Sequence, residues 1–97
     1  MGYVVSTTPA ARRMIRKLPP KVREHLKKKS KILADNALFG KPLTGGLSRY
    51  RAVRTVYRGT HYRIAYVVDQ MTKQIVIVVV GPRQDVYKKL SRIKFKM

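Results

Sequence analysis

The sequence predicts an α+β fold: an N-terminal helical hairpin packed on a small antiparallel β-meander, closed by a short C-terminal helix. Three observations carry this expectation. Residues 48–87 hold segments rich in β-branched and aromatic residues, separated by turn residues. Residues 8–40 place apolar residues at helical spacing on either side of Pro19-Pro20. Cysteine is absent, and no internal repeat or membrane-length apolar run, about 18 residues, points to another class.

Tyr3 to Ser6 has strand-like composition but is too brief to stand without a sheet to join. Thr8 is placed to cap a helix that opens on Pro9, where a missing N–H costs nothing. Ala11, Met14, Ile15 and Leu18 follow as one buried stripe, with Arg12, Arg13, Arg16 and Lys17 around it. Pro19-Pro20 ends this helix, because the residue before a proline is pushed out of the α region, and a second helix is expected over residues 21–39. Val22, Leu26, Ile32, Leu33 and Ala37 form its apolar side, and Gly40 is its expected C-terminal cap. Arg23, Lys27, Lys28 and Lys31 face outward. Taken alone, the run KKKSK reads as a solvated helix face, and His25 reads as structural or solvent-facing. KPLTGGL, residues 41–47, lacks the spacing of a nucleotide-binding loop and is a connection.

Val53 to Tyr57 and Tyr62 to Val68 are the first two meander strands, and Gly59-Thr60 fits a type II′ turn between them. That turn sets Arg58 opposite His61, Tyr57 opposite Tyr62 and Arg54 opposite Ala65. By the two-residue period of a strand, one face carries Val53, Thr55, Tyr57, Tyr62, Ile64, Tyr66 and Val68. The other carries Arg54, Arg58, His61 and Arg63, with Arg54 and Arg63 as diagonal neighbours. After a polar turn at residues 69–73, Ile75 to Val80 is an unbroken apolar run, as in a central strand covered on both faces. Met14, Ile15, Leu18, Leu26 and Leu33 are expected to cover the sheet. Antiparallel pairing then brings Gly81-Pro82-Arg83 beside His61 and Arg63. Val86, Tyr87 and Leu90 mark the last helix, with Tyr87 about one turn beyond Arg83. A basic end, SRIKFKM, follows.

The chain of 97 residues is expected to be one domain over 1–97, large enough for a modest core. Its formal net charge of +19, from 23 Lys+Arg against 4 Asp+Glu, far exceeds what solubility requires and calls for a polyanionic partner. Nucleic acid fits better than a membrane surface, because the cations are spread over helices, strands and tail, and no helix pairs them with a bulky apolar face. Without cysteine there are no disulfides or thiolate metal sites, as suits the cytoplasm. The dispersed histidines and carboxylates offer no metal spacing, and neither a metal nor a small-molecule cofactor is expected.

The segments KLPPKVREHLKKK, GKPLTGGLSRYR, HYRIAYVVD and VIVVVGPRQDVYKKL resemble the RelE/ParE toxin superfamily of bacterial type II toxin–antitoxin systems, and within it the RelE branch. The resemblance spans almost the whole chain. It implies a toxin that cleaves mRNA in the ribosomal A site, with the ribosome and its rRNA as partners and a cognate antitoxin as inhibitor. Arg63 matches the arginine that stabilises the phosphate, Arg83 the one that protonates the leaving group or stabilises charge, and Tyr87 the C-terminal tyrosine. Lysines that such toxins carry before the turn are replaced here: a gap-free count places Arg54 and Val56 there. Arginine holds its proton too tightly to be a general base, so Arg54 is a phosphate clamp. His61 is the imidazole expected near the site and the candidate proton carrier. Arg51, Arg58, Lys27, Lys28 and Lys31 are candidate RNA-binding residues, although Arg51 faces the core side in this register. Two other readings stay open: a ParE-like toxin that inhibits gyrase, and a non-catalytic basic module that binds nucleic acid or sequesters antitoxin.

Overall fold

The computed structural model describes residues 2–93. The basic end expected from SRIKFKM runs into residues 94–97, outside the described residues. In chain order the elements are β1 (Val4–Thr7), α1 (Pro9–Arg16), α2 (Pro20–Asp35), β2 (Lys41–Pro42), a 3-10 turn at Gly45–Leu47, β3 (Arg51–Tyr57), β4 (Thr60–Asp69), β5 (Gln74–Pro82) and α3 (Arg83–Arg92). The architecture is α+β, as the sequence predicts, but the meander is the centre of a five-stranded mixed sheet in the order β1-β5-β4-β3-β2. β1 runs parallel to β5 along its outer edge. This pairing makes β5 a central strand and accounts for its continuous apolar run.

Two cores form, one on each face. Val53, Tyr62, Ile64, Tyr66, Ile75, Ile77 and Val80 pack under Ala11, Val22, Leu26 and Leu33 of the helical hairpin, with Ile15 and Leu18 against them. Ala52, Ala65, Val67, Val78 and Val79 pack under Val86 and Leu90 of α3. Met14, expected in the first core, packs against the second. Along β5 the sides switch at a bulge: Ala65 pairs with Val79 and Tyr66 with Ile77, so Val78 is the extra residue. Val78 and Val79 consequently lie in the same core although adjacent in sequence.

Thr8 caps α1 as expected, its hydroxyl accepting from the Ala11 N–H at 3.1 Å. α2 ends at Asp35 with Asn36 as its cap, earlier than expected. Gly40 is not a helix cap. It lies where the backbone meets the Tyr66 ring: the Gly40 N–H donates to the Tyr66 hydroxyl at 2.8 Å, and that hydroxyl donates to the Ala37 carbonyl at 2.8 Å. Burial pushes the Tyr66 phenol above its ordinary pKa, against the opposing effects of the Gly40 N–H and Arg51.

The β3–β4 turn is also corrected. Tyr57 pairs with Thr60, so the loop is Arg58-Gly59, with φ of 50° and 81°. Positive φ at both positions is the type I′ arrangement, which suits the right-handed twist of the strands and uses glycine second. Partners slip by two residues: Arg54 lies directly opposite Arg63, not Ala65, and Val56 lies opposite His61. Because the slip is even, every residue that stays in the two strands keeps its expected face, whereas Arg58, expected beside Arg54 and His61, moves into the turn.

Candidate active site

The second face of the sheet ends in a cationic cleft. Cross-strand pairing aligns Arg54 with Arg63 and Arg63 with Gly81, so β3, β4 and β5 bring two arginines and a glycine into one row. A Cβ added at Gly81 would meet nothing within 4 Å, so the space beside Arg63 is open. Arg83 opens α3 two residues later and is exposed. His61 precedes Arg63 by two residues, which puts it on the same face. An open cleft of about 590 Å³ is lined by Arg54, His61, Arg63 and Arg83 together with Lys29, His25, Thr55 and Val56. None of these lining residues is acidic.

Arg63 differs from its neighbours. Its face is the expected one, but the side chain is only 5% exposed. The cover is α3, whose Tyr87 ring centroid lies 6.0 Å from the Arg63 guanidinium carbon. Tyr87 is half-buried and packs against the second core, so it is both a core residue and a roof over Arg63. The Arg63 Nε is buried without a hydrogen-bond partner among the described residues. A buried guanidinium donor left unpaired is costly, and an anion supplied from the cleft would satisfy it. Phosphate suits such a fork of donors, and the flanking Arg54 and Arg83 add charge that can strengthen as a phosphate becomes more negative.

Other candidates lie elsewhere. Arg58 sits at the hairpin tip with its guanidinium 5.6 Å from the Tyr57 ring centroid, beside a neighbouring groove lined in part by Lys21, Tyr57 and Tyr62. Arg51 is half-buried on the helical-hairpin face, where its Nη1 donates to the Gly40 carbonyl at 2.6 Å and the Leu38 carbonyl at 3.3 Å. That structural task removes it from the cleft. Lys27 borders a groove beneath α2, and Lys28 and Lys31 are exposed on α2 away from the cleft lining.

His25 and Lys29 also line the cleft, a placement not expected from the sequence, where His25 reads as structural or solvent-facing and Lys29 as part of a solvated run. Their signal was present: His25 stands between Val22 and Leu26, both buried, and Lys29 is one turn on. His25 is half-buried, its Nε2 lies 2.7 Å from the Thr55 hydroxyl, and its ring centroid is 5.0 Å from that of Tyr57. Among the described residues, no group of three His, Asp or Glu could hold a metal ion, and no helix is long and apolar enough to cross a membrane.

Comparison with known proteins bears on this geometry. A chain of the RelBE2 toxin–antitoxin complex from Mycobacterium tuberculosis is 33% identical, covering 86% of this chain and 100% of that one, with a TM-score of 0.73. The intact E. coli RelBE toxin–antitoxin complex contains a similar chain at 25% identity, covering 81% and 94%, with a TM-score of 0.69. The archaeal RelE–RelB complex from Pyrococcus horikoshii, at 22% identity, 86% and 97% coverage and a TM-score of 0.61, shares the fold. Among curated proteins, no sequence match is significant. The family model for the ParE-like toxin of type II bacterial toxin–antitoxin systems matches residues 5–91, which takes in all but the end residues of the sheet and helices, and the chain belongs to that family.

Proposed function

We propose that this toxin is a ribosome-dependent endoribonuclease that arrests translation by cutting mRNA in the A site. The observation that carries the reading is Arg63, buried beside Arg54 and Arg83 with a guanidinium nitrogen left for a ligand. Cleavage by the RNA's own 2′-hydroxyl requires a proton acceptor, a proton donor for the departing 5′ oxygen, and positive charge on the phosphorane. Arg54, Arg63 and Arg83 meet the third need through position and charge. Arginine cannot meet the first, and His61, on the same face as Arg63, is the proton carrier. The Tyr87 ring offers a face on which a base can stack.

Partners follow from the charge. The ribosome, its rRNA and mRNA supply the polyanion that a net charge of +19 demands. A cognate antitoxin, the component found with RelE in the complexes named above, silences the toxin in the cytoplasm by covering its basic surface with an acidic or amphipathic segment. Primer extension across a translated mRNA, beside the same mRNA without a start codon, tests the reading after induction of the toxin. Cuts confined to the translated copy are expected. Intact mRNA together with inhibited DNA gyrase would replace this reading with gyrase poisoning.

A further inference from the structure

Resting on that reading, we propose that the groove at the β3–β4 hairpin tip is a second RNA subsite, which takes an unstacked base of the mRNA strand whose scissile phosphate lies in the arginine cleft. The groove, of about 500 Å³, has apolar and aromatic walls: Pro19 and Pro20 from the junction of α1 and α2, Tyr57 and Tyr62 from the hairpin. Its charged lining residues, Lys21 and Arg58, are exposed cations, and no acidic residue lines it. Aromatic walls accept any base through its π-face while cations hold the neighbouring phosphates, which is how single-stranded RNA is bound without base pairing. The walls are set in advance. Tyr62 belongs to the first core at 8% exposure, and Tyr57 is half-buried against it. Arg58 holds a φ of 50° in a turn position that favours asparagine or glycine, so local stability is given up to keep a guanidinium 5.6 Å from the Tyr57 ring centroid.

Cleft and groove lie on opposite faces of the sheet and meet around an open edge of β3. β2 pairs with Arg51 and Ala52, so among the described residues no strand covers β3 from Val53 to Tyr57. Val56, on the face of Arg54, is 51% exposed there. The cleft lining wraps this edge: Arg54 and Val56 come from one face, and Thr55 comes from the other with His25 of α2 beside it. His25 lies in turn against Tyr57, ring centroids 5.0 Å apart, and Tyr57 is a wall of the groove. Arg54 and Tyr57 are three residues apart, about 10 Å along the strand, which nearby nucleotides of one RNA chain span. A strand with its phosphate at the arginines therefore crosses β3 over Val56 and delivers a neighbouring base to Tyr57. An acidic peptide would also suit the cations, but the shared edge favours RNA, since one strand then fills a phosphate site and a base site together.

The test places the fluorescent base 2-aminopurine in mRNA on programmed ribosomes, moved one position at a time through the A-site codon and the nucleotides that flank it. The codon is made 2′-deoxy, so the readout is binding and not cleavage. Wild-type toxin should change the emission at one position. Tyr57→Leu, which keeps an apolar side chain against the first core, should remove that change and weaken binding about 10-fold. Arg58→Asn gives the turn the Asn-Gly pair that type I′ prefers, so the fold is kept, and it should weaken binding and lower its salt slope by about one. No emission change at any position, or the same change with Tyr57→Leu, overturns the proposal. Ribosome binding weakened by both variants without any emission change would give the groove to ribosomal RNA, and normal ribosome binding with weakened antitoxin binding would make it a peptide site; either result overturns the mRNA assignment. Failure of the wild type to cut an all-ribose copy of the same mRNA would sink the nuclease reading, and the emission change decides the groove separately.

Discussion

Replacing Arg63 with methionine is expected to abolish mRNA cleavage while leaving the folded protein as stable as the wild type, or more so. The two outcomes have one cause. The Arg63 side chain is 5% exposed and its Nε has no partner among the described residues, an arrangement that opposes folding and that an anion in the cleft would relieve. Methionine keeps an unbranched chain under the Tyr87 ring and removes the charge. Loss of one donor aimed at the developing charge should lower the cleavage rate by about 10²–10³-fold, or roughly 3–4 kcal/mol of transition-state stabilisation. Thermal unfolding of the purified variant beside wild type checks the other half, and a marked fall in Tm would show that Arg63 is a structural residue. Arg83→Ala makes the complementary case. Arg83 is exposed, so its removal should change stability by no more than about 0.5 kcal/mol while cleavage is lost.

The largest effect on stability is expected at a residue far from the chemistry. In Gly40→Ala, the new Cβ would lie 2.7 Å from both Cε1 and the hydroxyl oxygen of Tyr66 and 2.9 Å from the carbonyl carbon of Ala52. Neither neighbour can yield easily. The Tyr66 ring is fully buried and its hydroxyl is held by Gly40 and Ala37, while Ala52 belongs to β3 between β2 and β4. Overpacking of this kind costs about 3 kcal/mol. For a chain of this size that corresponds to a fall in Tm of roughly 12–24 °C, measured by circular dichroism. A shift below about 4 °C would mean that the loop moves aside and that the Gly40–Tyr66 contact does not hold α2 to the sheet.

Which parts of this molecule were legible in its sequence follows from how local the signal was. The faces of β3 and β4 were legible because alternation is a property of each strand alone, so the incorrect turn at Gly59-Thr60 shifted partners without inverting a side chain. The turn itself was not, since a single glycine serves as the first residue of a II′ turn or the second of a I′ turn, and Arg58 gives no sign that it accepts a φ of 50°. β1 was only half legible: four residues make a strand when β5, some 70 positions later, offers its edge. The second core was half legible: the apolar run Ile75 to Val80 calls for cover on both faces, but Val86, Tyr87 and Leu90 do not by themselves show that α3 supplies it and covers Arg63 as well. For Gly40, one residue type served two purposes, and close approach to a ring was mistaken for a helix cap. His25 reads as a lone structural or solvent-facing histidine, and it is half-buried against Thr55, a partner that nothing in α2 reveals.

The central claim is that the arginine cleft directs the RNA's own 2′-hydroxyl against the scissile phosphate. The ends of the fragments released from mRNA-programmed ribosomes by the purified toxin test it most directly. Upstream fragments should end in a 2′,3′-cyclic phosphate or its opened monophosphate, downstream fragments should begin with a 5′-hydroxyl, and neither should form with Arg63→Met. Fragments that begin with a 5′-phosphate, or equal cutting by the Arg63→Met variant, would contradict the account.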